Sequence, residues 1–114
     1  MGLRIATYMG APAIAGLGWE RSPDRLSERT MGLRWGKTFA RLNEPEHLGK
    51  PSLLSVLFGA LPEGAQNQTI LIAYAHAQSE TYFGALVANG EPVIEAERLF
   101  EERTSLLNWI ANEC

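Results

Sequence analysis

The sequence predicts an α+β fold, a single domain with a mixed, largely antiparallel sheet and two main packing helices. Three observations carry that expectation. Thr81 to Ala88 is a strand-length run of aromatic and β-branched residues. It ends in Asn89-Gly90, the dipeptide that tolerates the positive φ angles of a two-residue hairpin turn. Two stretches, Pro51 to Leu61 and Glu95 to Ala111, repeat apolar residues at helical spacing. At 114 residues the chain suits one domain with one core, without staples.

From the N-terminus, Leu3 to Tyr8 and Ala13 to Trp19 read as strands joined by a turn at Gly10-Ala11-Pro12. Ser22-Pro23-Asp24 then has the form of a helix start, with Ser22 as cap, Pro23 at the first helical position and Arg25 to Thr30 following. Gly32 to Phe39 is a third strand placing Leu33, Trp35 and Lys37 on one face, and Asn43 to Lys50 is a loop. The helix at Pro51 to Leu61 gathers Leu53, Leu54, Leu57, Phe58 and Leu61 into one stripe and ends at Pro62-Glu63-Gly64. Thr69 to Ala75 is almost continuously apolar, the pattern of a central strand covered on both faces. After the Asn89-Gly90 turn, Val93-Ile94 is the return strand. The last helix, Glu95 to Ala111, aligns Ala96, Leu99, Phe100, Leu106, Leu107 and Ile110, with Glu95 and Glu97 at its positive end. Leu57 and Phe100 are expected to face the sheet from their helices.

Charge and cysteine narrow the function classes. The balance of −3 argues against nucleic-acid binding, which needs a net basic footprint. Charge is uneven: the first 50 residues are mildly basic and the second half clearly acidic. The single cysteine, Cys114, excludes an internal disulfide and suits a reducing compartment. The apolar runs at Leu53 to Leu61 and Ile70 to Ala77 are shorter than the ~20 residues of a membrane helix, and the N-terminus lacks the apolar core of a secretory signal.

Reactive groups do not assemble into a motif. Gly32-Leu33-Arg34-Trp35-Gly36-Lys37-Thr38 approaches a phosphate-binding loop, but Met31 stands where the first glycine is required. Gly16 and Gly18 lack a third glycine at dinucleotide-loop spacing. His47 and His76 are the only histidines, so a metal site would draw its carboxylates from scattered places, and no serine sits in a nucleophile elbow. The expectation is therefore no catalytic residue, no cofactor and no metal. The basic residues Arg21, Arg25 and Arg29 are the candidate partner-binding surface, since Arg25 and Arg29 share one side of a helix and Asp24 and Glu28 can pair with them locally. A small enzyme or ligand-binding domain is the alternative, marked by a pocket holding His76 or Glu80 beside Arg34 or Lys37. A stand-alone regulatory adaptor is another.

The hairpin ending in Ala15-Gly16-Leu17-Gly18-Trp19, the basic segment after it, the Ser52-Leu53-Leu54 helix and Tyr82-Phe83-Gly84-Ala85-Leu86-Val87-Ala88-Asn89-Gly90 follow in an order that resembles the pilin accessory protein (PilO, BfpC-like) family of type IVb pilus systems. The resemblance covers most of residues 5–111. It implies a cytoplasmic domain distantly related to the actin-like domain of GspL secretion proteins, with an actin-like or RNase H-like half-domain among the folds to expect. It further implies a noncatalytic scaffold at the cytoplasmic face of the bacterial inner membrane, docking the pilus assembly ATPase and the inner-membrane platform protein, with a homodimer among the options. Residues 1–114 would then be a single docking domain excised from a longer bitopic protein, meeting the membrane only through a segment outside this chain.

Overall fold

The computed structural model describes residues 3–22, 31–42, 44–76, 78 and 80–113. The chain is an α+β domain with nine strands and two α-helices among those residues. Every registered strand pair is antiparallel, and the strands divide among three sheets.

The first sheet is the hairpin of β1 (Arg4–Tyr8) and β2 (Ala11–Ala15). Its turn is Met9-Gly10, both at positive φ, so Ala11 and Pro12 belong to the strand and not to the expected turn. The second sheet holds β3 (Trp19–Arg21), β4 (Gly32–Trp35) and β5 (Thr38–Arg41) in the order β3-β5-β4. Two expectations change here. Trp19 starts a strand of its own, because Gly16 at φ 88° turns the chain after β2. Gly32 to Phe39 is two strands, with Lys37 in the turn between them. Leu33 and Trp35 do share a face, each paired with a residue of β5 two positions apart. The helix expected over Arg25 to Thr30 lies outside the described residues, as does Cys114.

The third sheet is built on β7 (Thr81–Ala88), flanked on one side by β6 (Ile70–His76) and on the other by β8 (Glu91–Pro92) and β9 (Arg98–Phe100). The aromatic run is thus the central strand, with Phe83, Ala85 and Val87 wholly buried. Thr69 to Ala75 was expected in that place; instead β6 stands at the sheet edge with Ala73 and Ala75 exposed, an apolar run that small side chains leave uncovered. Asn89-Gly90 makes the hairpin turn at φ 54° and 77°, and the return strand is Glu91–Pro92, one step before Val93-Ile94.

α1 (Leu53–Gly59) starts where expected, its first turn capped by Ser52, whose hydroxyl accepts from the Ser55 N–H at 2.9 Å. Leu53 and Leu54 are fully buried and Leu57 packs against the same core. The second helix is much shorter than expected: α2 spans Arg103–Glu113. Phe100 lies in β9, where its ring meets Trp109 at 5.9 Å, and Leu107 is half exposed. The helix cannot begin earlier because Glu95 takes φ 61° and residues 98–100 pair with β7. α2 crosses β7 so closely at Gly84 that any Cβ there would collide with the Trp109 ring. Among the described residues no helix is long and apolar enough to cross a membrane.

Buried side chains form two clusters. One joins the β1–β2 hairpin and α1 to the β6–β7 sheet; the other fills the space between β2, Leu17 and the β3–β5–β4 sheet. Trp35 packs against both.

Candidate functional site

Between β4, the start of α1 and Trp19 the surface opens into a cleft of about 460 Å³. Trp19, Trp35 and Phe58 supply its aromatic walls, and Arg34 stands at its rim. The aromatic groups hold one another: Trp35 meets Trp19 edge-on at 5.8 Å and Phe58 at 5.5 Å. Each indole is also anchored by a residue far along the chain. Trp35 Nε1 donates to the Gly90 carbonyl at 2.8 Å, so the hairpin turn of the third sheet fixes a wall of the cleft. Trp19 Nε1 donates to Glu97 Oε1 at 3.0 Å.

Glu97 is the principal polar group under this site. Its other oxygen accepts from the Leu17 N–H at 2.5 Å, and the Glu95 N–H donates to the Trp19 carbonyl at 3.3 Å. The segment before β9 is therefore fastened along the connection between β2 and β3. Burial pushes the Glu97 carboxyl up to about 7, while the N–H groups of Trp19, Leu17 and Gly16 pull it back toward the charged form. The expectation of Glu97 at the positive end of a helix is corrected: 78 residues separate Glu97 from Trp19, and no local pattern announces the pair.

The cleft serines are committed to the helix. Ser55 Oγ donates to the Ser52 carbonyl at 2.9 Å, and the Ser52 hydroxyl is the α1 cap. Of the polar residues that would mark a ligand-binding enzyme, Arg34 borders this cleft and neither His76 nor Glu80 lines it. His76 stacks beside Tyr74 at 6.3 Å, and the Glu80 carbonyl accepts from Arg4. The Gly32 to Thr38 segment is a β-hairpin and not the strand-loop-helix of a phosphate site.

Of the candidate docking arginines, Arg21 is exposed at the end of β3, and Arg25 and Arg29 lie outside the described residues. Arg21 shares its end of the sheet with the β4–β5 turn, since the Ser22 N–H donates to the Lys37 carbonyl at 2.8 Å. Glu91 meets that turn from the third sheet, accepting from the Lys37 backbone N–H at 3.2 Å.

A second polar group lies on the short 3-10 turn Pro45–His47, where Glu44, Glu46 and His47 come together. The carboxylates near a histidine are thus sequence neighbours and not scattered. Glu44 is held above the usual carboxylate range by its hydrogen bond with Glu46 and the charge of that group.

No protein-family model, no curated protein and no solved structure matches the chain.

Proposed function

We propose that this domain is a noncatalytic docking module, the cytoplasmic component of a type IVb pilus inner-membrane assembly platform that binds the assembly ATPase and its membrane partner. The observation that carries a docking role is the cleft of Trp19, Trp35 and Phe58 beside Arg34. Tryptophan and arginine are the residues most enriched at interface hot spots, because large rigid rings give contact area at low entropic cost. Two indoles already hydrogen-bonded in place add pre-organisation. The pilus assignment is supported by the sequence resemblance, whose two motifs fall on load paths of the fold. Ala15 to Trp19 forms the connection fastened by Glu97, and Tyr82 to Gly90 forms the central strand and its turn.

Partner contact is expected at the cleft and at the neighbouring cations Arg21, Arg34 and Lys37, with an apolar side chain seated against the aromatic wall and acidic groups at the rim. The test is binding of the purified domain to the assembly ATPase and to the platform protein at low salt. Arg34→Glu, and separately Arg21→Glu with Arg25→Glu and Arg29→Glu, should slow association while thermal melting stays unchanged. Wild-type binding by both folded variants would remove this surface, and binding of neither partner by the wild-type domain would remove the pilus assignment.

A ligand-binding role is the second reading, favoured by cleft volume alone, since about 460 Å³ falls within the range of small-molecule sites. A small molecule that perturbs the Trp19 and Trp35 indole resonances in the absence of any protein partner would favour it.

A further inference from the structure

We propose that β6 is the contact strand of a homodimer, pairing antiparallel with β6 of a second copy of this chain along the edge that faces away from β7. β6 joins β7 through seven consecutive residue pairs, and among the described residues its other edge meets no strand. An open edge presents a row of backbone donors and acceptors to any further strand, and proteins blunt such edges with charge, proline, a bulge or short length. Other outer strands of this fold are blunted in that way: Arg21 ends the three-residue β3, Arg34 stands in β4, Pro92 ends β8 and Arg98 begins β9. β6, Ile-Leu-Ile-Ala-Tyr-Ala-His, has no lysine, arginine, carboxylate, proline or glycine, and its ladder contains no bulge.

A groove along that edge is the second, independent observation. It holds about 400 Å³, and its lining includes Ile70, Leu71, Ile72 and Ala73 in succession. Successive side chains of a strand point to opposite faces, so four consecutive residues share a groove only where it runs along the margin of the strand. β7 occupies the inner margin, which leaves the outer one. Leu57 of α1 and Leu61 just beyond it also line the groove, and none of its lining residues carries a charge. An incoming strand should therefore be uncharged and apolar, as β6 itself is.

Self-pairing also satisfies the geometry. In an antiparallel pair, opposed residues either both exchange hydrogen bonds or both do not, so a strand pairs with its own copy only about a twofold axis through a residue. An axis at Ala73 uses the whole strand: Ile70 lies opposite His76 of the second copy, Leu71 opposite Ala75, Ile72 opposite Tyr74, and Ala73 opposite its equivalent. Leu71 of each copy then covers the exposed Ala75 of the other, and Tyr74 brings its ring to Ile72 at the groove. Such a pairing makes roughly six to eight backbone hydrogen bonds, within the ~10 ± 5 of a specific interface. It is isologous and closes at two copies. No residue of β6 lines the Trp19–Trp35 cleft, so the pairing stands or falls separately from partner docking.

Sedimentation of the full chain over a concentration series, with amide hydrogen exchange on the same samples, tests the pairing. The wild type should pass from monomer to dimer as concentration rises, and the outward amides of β6 should gain protection in step while those of β7 stay as they are. Ala73→Lys sets two ammonium groups opposite each other on the axis and should weaken association at least tenfold. Ala75→Lys, which places a charge against Leu71 of the other copy, should do the same. Both alanines are exposed, so each variant should keep wild-type protection in β7. If a variant fails to fold, the wild-type exchange series decides alone. A wild type that stays monomeric at the concentrations used for NMR, a dimer whose β6 amides gain no protection, or undiminished association in either folded variant would overturn the proposal.

Discussion

The β6–β7–β9 sheet and the β3–β5–β4 sheet are held by different means. The first is fastened by a seven-residue ladder between β6 and β7 and by buried Phe83, Ala85 and Val87 on one strand. The second has shorter ladders of three and four residue pairs. It is tied to the rest by Trp35, by Glu97 under Trp19 and by the Gly90 carbonyl. Many small apolar contacts make a frame; a few polar locks make a site that can be pre-organised without being part of that frame.

The largest effect should come from the frame. Phe83→Ala removes a fully buried ring from the central strand and should cost about 3–5 kcal/mol, read by urea denaturation. A cost below about 1 kcal/mol would mean that the third sheet is not the main source of stability.

Removing a lock should cost less and act locally. Glu97→Ala leaves the Leu17 N–H and the Trp19 indole N–H without their acceptor, at roughly 1–3 kcal/mol for each donor that stays buried. Indole hydrogen exchange at Trp19 should accelerate while the β7 amides keep their protection. Equal loss of protection in both sheets would erase the distinction between frame and lock.

The same lock gives a pH dependence. The folded carboxyl titrates at about 7 against an ordinary value of 4.5, so between those values the folded state holds a proton that the unfolded state has released. The contribution of Glu97 to stability is greatest below about pH 4.5, falls as pH rises toward about 7 and is level above it, by about 3 kcal/mol. Glu97→Gln should abolish that component of the slope.

The smallest effect concerns the β1–β2 turn. Met9 holds φ 50° while 89 % exposed, a conformation that asparagine adopts more readily. Met9→Asn should raise stability by about 0.5–1 kcal/mol in thermal melts, leaving both regions otherwise unchanged.

What could be read from the residues follows the same division. The Asn89-Gly90 turn, the strand before it and the Ser52-capped α1 carry their signals within a few neighbouring residues, and the structure has all three. The Glu95 to Ala111 stretch misled because Leu99 and Phe100 also suit a short strand, and the choice was made by pairing with Phe83 and Tyr82. β6 has the composition of a central strand, yet edge position depends on which strands find β7, and that is decided across the chain. The cleft was not legible for the same reason: Trp19, Trp35 and Phe58 meet only after three separate elements have packed.

The central claim is that a partly buried carboxyl group at Glu97 locks Trp19 and so shapes the cleft wall. The most direct test is the Trp19 indole N–H resonance followed from about pH 5 to about pH 9. A sigmoidal shift with its midpoint near 7, absent in Glu97→Gln, is the result this structure requires. A resonance that does not move over that range, or that moves identically in Glu97→Gln, would contradict it.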